Sequence, residues 1–150
     1  MTKLADRIIV GVLTLVVIVV IALIGANCSG WQAAQRAGNE AATQQDLKTI
    51  AAVEIQYYNT HNRTFGTLDQ LIKEKMLTSK FSGNPPAADG YVFKLNIISK
   101  TSSQPTSYTV TADPQSDNTG KNHFYIDSNS SAIHINPDRP ARATDPALSE

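Results

Sequence analysis

The sequence predicts an α+β fold in which one long N-terminal helix, half transmembrane and half amphipathic, packs on a small four-stranded antiparallel sheet. Three observations predict it. The run Ile8–Ala26 carries no charged side chain, and no proline interrupts the chain from there to His61. After the turn-rich stretch "SGNPPAADG", the hydrophobic period changes from that of a helix to that of strands.

The apolar run is long enough to cross a membrane. Its centre, "GVLTLVVIVVIALIG", holds one polar side chain, and a helix over Ile8–Ala26 would cover about 28 Å, close to the hydrocarbon thickness of a bilayer. Lys3 and Arg7 precede it, which predicts a cytoplasmic N-terminus. A cleaved secretory signal is the competing interpretation, but the run exceeds the usual signal core and favours an uncleaved signal anchor.

The helix is predicted to continue beyond the membrane as an amphipathic segment. Alanines are dense between residues 32 and 61, and apolar side chains recur at helical spacing, at Leu47, Ile50, Ala51, Ile55 and Tyr58. A short second helix follows in "TLDQLIKEKML", where Thr67 and Gln70 have the spacing of a capping box. Both helices therefore have an apolar face for a common core.

Four segments have the composition of strands: "GYVFKLNII", "SYTVTA", "HFYID" and "AIHIN". One face of the first strand is predicted to hold Tyr91, Phe93, Leu95 and Ile97, and one face of the second Tyr108, Val110 and Ala112. The links between them are polar and mostly short, which favours an antiparallel meander. The last stretch, "PDRPARATDPALSE", has three prolines and almost no large apolar residue, so residues 137–150 are expected to be a disordered tail.

The helical segment "NEAATQQDLKTIAAVEIQYYNTHNRTFGTLDQLIKEKML" resembles the bacterial type IV pilin and type II secretion pseudopilin superfamily. The family's N-terminal run, close to "F-T-L-I-E-L-L-V-V-I-A-I-I-G", aligns without gaps onto Val12–Gly25, and Gly11 matches the glycine before the cleavage site. The residue patterns and the resemblance together divide the chain into four regions: a leader-like segment 1–11, a stem helix 12–61, an α/β head 62–136 and the tail 137–150.

Two departures from the family pattern bear on function. The family's buried glutamate falls at Val16, and "RIIV" precedes Gly11 where the family has Lys or Arg. In the family that glutamate is thought to meet the freed amine of a neighbouring subunit. Val16 removes this partner, so the chain is either not processed in the usual way or takes a special position such as a tip or initiating subunit. Without the resemblance, Val16 is an ordinary lipid-facing residue of the apolar run.

The resemblance implies a non-catalytic structural subunit of a type IV pilus or a type II secretion filament. It would be a single-pass protein of the inner membrane with its head in the periplasm or outside the cell. It would contact membrane lipid and associate with itself or other pilin-like subunits. The stem residues expected to pack are Gly11, Val16, Ala22 and Gly25. The alternative is a membrane-tethered binding or sensory domain that borrows the fold and stays monomeric.

Composition and motifs argue against other classes. The formal net charge is zero without a basic cluster, which disfavours nucleic-acid binding. No glycine-rich phosphate cradle or nucleophile elbow occurs in the sequence, so we expect no enzymatic activity. The single cysteine, Cys28, lies where a lipidated cysteine would lie, although Asn27 before it is not the small residue that lipidation sites require.

Two polar clusters are candidate metal sites. His123, Tyr125 and Asp127 share a strand face and His134 is expected opposite, but a polar, solvent-facing strip explains them better than a metal. The loop "ADPQSDNTG" offers oxygen ligands for calcium, which some pseudopilins hold near their sheet, but it lacks the dense ligand rhythm of a calcium loop. An ordinary turn is the competing interpretation, and no cofactor is otherwise expected. The loop's candidate ligands are Asp113, Asp117 and Asn118.

Overall fold

The computed structural model describes the backbone of residues 2–148 and the side chains of residues 15–17 and 30–148. The chain divides into two compact units, Met1–Gln35 and Arg36–Glu150. The second unit contains the sheet and all the packing described below. It therefore begins within the first helix, earlier than the head expected from residue 62.

Helix α1 spans Thr2–Thr60. The prediction of one helix ending near His61 is confirmed, because no proline interrupts it and its internal glycines do not break it. The predicted membrane span is not tested in the same way. Within the residues whose side chains the structure describes, no helical stretch is long and apolar enough to cross a membrane. Most side chains of Ile8–Ala26 lie outside the described set.

The buried face of α1 differs in detail from the predicted one. Leu47 and Ile50 are fully buried as expected, but Ile55 is 58% exposed. The buried stripe continues instead through Glu54 and Tyr57, which keep the three- and four-residue spacing of a helix face. The sequence pattern favoured the apolar side chain of Ile55 over the adjacent carboxylate, whereas the geometry of the helix turns Glu54 inward.

Helix α2 spans Leu68–Lys73 and has the predicted capping box. The Thr67 amide donates to Gln70 Oε1 at 2.8 Å, and the Gln70 amide donates to Thr67 Oγ1 at 3.2 Å. Leu68 and Leu71 face inward and are buried. A short 3-10 turn, Ser79–Phe81, follows and places Phe81 in the core.

The sheet has five strands, not the four that were predicted, and all neighbours are antiparallel. The strands follow chain order, which confirms the meander. They are β1 (Ala87–Ala88), β2 (Tyr91–Ile98), β3 (Ser107–Pro114), β4 (His123–Asp127) and β5 (Ser130–Asn136).

The additional strand, β1, is two alanines long and pairs with the start of β2. Asp89 and Gly90 connect them, both with positive φ, as a two-residue hairpin turn of the mirror-image type requires. Two residues without β-branched or aromatic side chains carry no strand signal in the sequence. The strand was therefore missed.

The expectation of a disordered tail is wrong for residues 137–148. The Ile135 amide donates to the Pro146 carbonyl at 2.9 Å, and the Leu148 amide donates to the Ile133 carbonyl at 2.8 Å. Ala141 is only 3% exposed. The tail thus covers the outer edge of β5 with main-chain hydrogen bonds, which its proline-rich composition did not reveal.

The core lies between α1 and the inner face of the sheet, with α2 and the 3-10 turn closing one part of it. The predicted inner faces of β2 and β3 are confirmed for the side chains that are most buried. These core residues are Leu47, Ile50, Tyr57, Leu68, Leu71, Leu77, Phe81, Tyr91, Phe93, Tyr108, Val110, Ala112, Phe124, Ile126 and Ile133.

Candidate functional site

The residues predicted to act in processing and stem packing are mostly outside the described side chains. Gly11, Val12, Ala22 and Gly25 all lie there, as does Cys28. Val16 is described and is 53% exposed, between Leu15 and Val17, which are also exposed. The roles assigned to these residues stay predictions.

The candidate calcium loop is occupied by protein contacts. Asp113 Oδ1 lies 2.5 Å from His123 Nδ1, so its carboxylate pairs with the imidazole. The backbone carbonyl of Asp117 accepts a hydrogen bond from Arg36 at 3.2 Å, which brings a cation to the loop. Within the described part of the chain, no group of three or more His, Cys, Asp or Glu side chains could hold a metal ion.

The same loop is held to α1 by Glu40. The amides of Lys121 and Asn122 donate to Glu40 Oε1 at 2.9 and 3.3 Å, and Asn122 Nδ2 donates to Oε2 at 2.6 Å. Asn39 Nδ2 adds a hydrogen bond to the Thr119 carbonyl at 2.9 Å. These hydrogen bonds hold the β3–β4 connection against helix α1.

The polar strip on β4 and β5 is arranged as predicted. Tyr125 pairs with His134 across the two strands, with ring centroids 6.0 Å apart. The Tyr125 hydroxyl donates to Asp127 Oδ2 at 3.0 Å, and His134 Nδ1 lies 2.6 Å from the Asp145 carbonyl in the tail. Each of these side chains has a partner within the strip or the tail, as in a structural network.

The sequence did not reveal Glu54, the most unusual ionisable group of the head. Its side chain is fully buried. Oε2 accepts the Gly66 amide at 2.9 Å, whereas Oε1 has no hydrogen-bond partner in the described structure. Burial raises the pKa of Glu54 to about 7, and the bond from Gly66 offsets part of that rise. An acidic residue on the apolar stripe between Ile50 and Tyr57 was the available signal.

A second buried carboxylate, Asp46, is paired. Lys80 Nζ lies 2.5 Å from Asp46 Oδ1 and 3.3 Å from Asp89 Oδ2, and its ammonium sits 5.1 Å from the Phe81 ring centroid. Burial raises the pKa of Asp46 against the opposing effect of Lys80. Through Lys80, this pair ties α1 to the 3-10 turn and to the turn before β2, whereas Asp46 Oδ2 is buried without a hydrogen-bond partner in the described structure.

A groove of about 510 Å³ opens where the end of α1 meets the β2–β3 hairpin. Tyr58 and Phe65 stack within it, with ring centroids 4.9 Å apart. Arg63 and Lys100 are its only charged lining residues, and neither belongs to an ion pair among the described residues. The remaining lining residues are Asn62, Thr64, Ile97, Ser99, Pro105 and Thr106.

No protein-family model matches this chain, and comparisons with curated proteins and with solved structures find no significant similarity. The similarity to pilins thus stays a prediction from sequence. The described residues thus provide hydrogen bonds that fix the β3–β4 connection to α1, the buried carboxyl group of Glu54, and an open groove lined by Arg63 and Lys100.

Proposed function

We propose that the protein is a non-catalytic, pilin-like subunit that takes part in a type IV pilus or a type II secretion-type filament. Residues 8–26 would hold it in the inner membrane, with the N-terminus in the cytoplasm. The unit Arg36–Glu150 would face the periplasm or the exterior. Stem helices would pack side by side with those of neighbouring subunits.

One observation carries the proposal. Within the unit Arg36–Glu150, Leu47, Ile50 and Tyr57 of helix α1 are buried in the core. A head whose core includes the C-terminal part of an N-terminal helix supports assembly through that helix. The chain order of the antiparallel sheet is compatible with this arrangement, but fold alone does not assign function.

Val16 supplies the test of assembly. In a processed subunit, the carboxylate of a Val16→Glu variant can pair with the amine exposed at Val12, so incorporation into filaments should be maintained or improved. In an unprocessed anchor the carboxylate lacks a partner, so the free energy of membrane insertion should become less favourable by about 2.5–3.5 kcal/mol. Filament yield and membrane recovery are measured side by side, with Val16→Gln as the uncharged control. The proposal would be rejected if Val16→Glu no longer inserted into the membrane and neither this variant nor the wild type formed filaments.

The groove beside Tyr58 and Arg63 favours the second candidate, a membrane-tethered binding or sensory domain. Structural subunits have no need of an open groove lined with unpaired cations. A monomeric state of the native protein in its membrane, with Met1 retained, would support this function over assembly.

A further inference from the structure

The groove beside the end of α1 is shaped by strained backbone. Asn62 and Arg63 follow the helix with φ of 50° and 57°, in the left-handed region. The Arg63 amide donates to the Tyr58 carbonyl at 3.1 Å, so the pair caps the helix. Glycine is the residue that this position favours, since a side chain in the left-handed region costs free energy. Asparagine tolerates this conformation because its short polar side chain can form local hydrogen bonds, whereas arginine is not among the residues that adopt it readily.

The strained arginine lines the open groove. Phe65, two residues on, stacks on Tyr58 and meets the Tyr108 ring edge-on at 4.8 Å between centroids. The stacked pair of rings thus forms an aromatic floor that is braced by the core residue Tyr108. Lys100 enters from the β2–β3 hairpin, and no carboxylate lines the groove. An open groove of this size, lined by aromatic and polar side chains, is typical of a small-molecule binding site.

We propose that this groove binds a small organic anion, one that carries a carboxylate or similar group on a flat apolar body. The anion lies between Arg63 and Lys100, whose donors suit its charge. The flat body packs against the aromatic surface that the Tyr58–Phe65 pair presents to the groove. The site goes beyond the proposed function, because filament assembly does not depend on it and its failure leaves that proposal untouched.

The test uses the full chain in non-ionic detergent and three probes: benzoate, benzamide and acetate. Benzoate has both the charge and the flat body, benzamide lacks the charge, and acetate lacks the ring. Binding is followed by shifts of the backbone amide resonances of residues 62–65, 97–104 and 106. We expect saturable shifts with benzoate and an affinity weaker by at least about tenfold for the other two.

Two glycine variants separate the loss of the Arg63 guanidinium from the release of left-handed backbone strain. Arg63→Gly removes the cation and the strain together, so the thermal midpoint should hold or rise while benzoate affinity falls by at least about tenfold. Lys75→Gly is the matched control, because Lys75 is also left-handed, with φ of 60°, follows α2 and lies outside the groove. It should keep the affinity for benzoate.

Three results would overturn the proposal. The first is benzamide binding as tightly as benzoate, and the second is Arg63→Gly with unchanged affinity. The third is shifts that never saturate or that fall outside the groove, which would mean only nonspecific association with the protein or the micelle.

Discussion

Glu54 makes the stability of the head depend on pH in an unusual direction. A carboxyl whose pKa is raised in the folded state stabilises the fold while it is protonated. This contribution is fully present below the unfolded pKa of 4.5 and is lost as the pH rises to and beyond about 7. The difference between those two pKa values corresponds to roughly 3 kcal/mol.

The perturbation is Glu54→Gln, which keeps an oxygen to accept the Gly66 amide and has no charge to bury. Near pH 4 the variant and the wild type should have similar stability, apart from a constant cost for the new amide donors. By pH 8 the variant should gain about 3 kcal/mol on the wild type, or roughly 10 °C in thermal midpoint. Taking the difference between the unfolding free energies of the two proteins cancels the contributions of the other carboxylates. Asp145 is one of them, and its lowered pKa gives a pH dependence of the opposite sign.

The assay is the thermal midpoint of the full chain between pH 4 and pH 8, followed by the near-ultraviolet signal of the core tyrosines. Asp117→Asn is the control, because it removes an exposed carboxylate from the same unit. A pH dependence of the difference from the wild type that is no larger for Glu54→Gln than for Asp117→Asn would refute the reasoning, since Glu54 would then ionise as readily in the folded protein as in the unfolded one.

Three further predictions concern packing, each checked by the thermal midpoint against the wild type. Deleting residues 137–150 should lower it by more than about 5 °C, because the tail pairs with β5 and Leu148 packs on the core. An unchanged midpoint would mean that the tail is not docked. Gly120→Ala should cost several kcal/mol, because a Cβ there would overlap the Tyr91 hydroxyl; a cost below about 0.5 kcal/mol would contradict this geometry. Glu40→Gln should cost about 1–3 kcal/mol by weakening the charged bonds to the β3–β4 loop, and faster amide exchange there should accompany it.

Side-chain periodicity was enough to predict the helices and the main strands, and the short links between the strands predicted their order. The capping box at Thr67 and the buried faces of β2 and β3 were confirmed because they depend on local chemistry and on alternation along one segment. The fifth strand and the docked tail were missed for a common reason. Both are held by main-chain hydrogen bonds, which any residue with a free amide or carbonyl can make.

The candidate sites were harder to predict than the fold. Glu54 and Arg63 matter because of where tertiary structure puts them, one inside the core and one in a strained cap beside an aromatic floor. Neither is part of a motif. The loop with Asp113 was singled out for its oxygen atoms, whereas the structure uses that carboxylate to pair with His123.

N-terminal sequencing of the protein purified from its native membrane tests the central proposal most directly. If the chain is a processed filament subunit, the mature protein begins at Val12, with the bond after Gly11 cut. A native protein that still begins at Met1 would contradict processing and assembly through a freed stem.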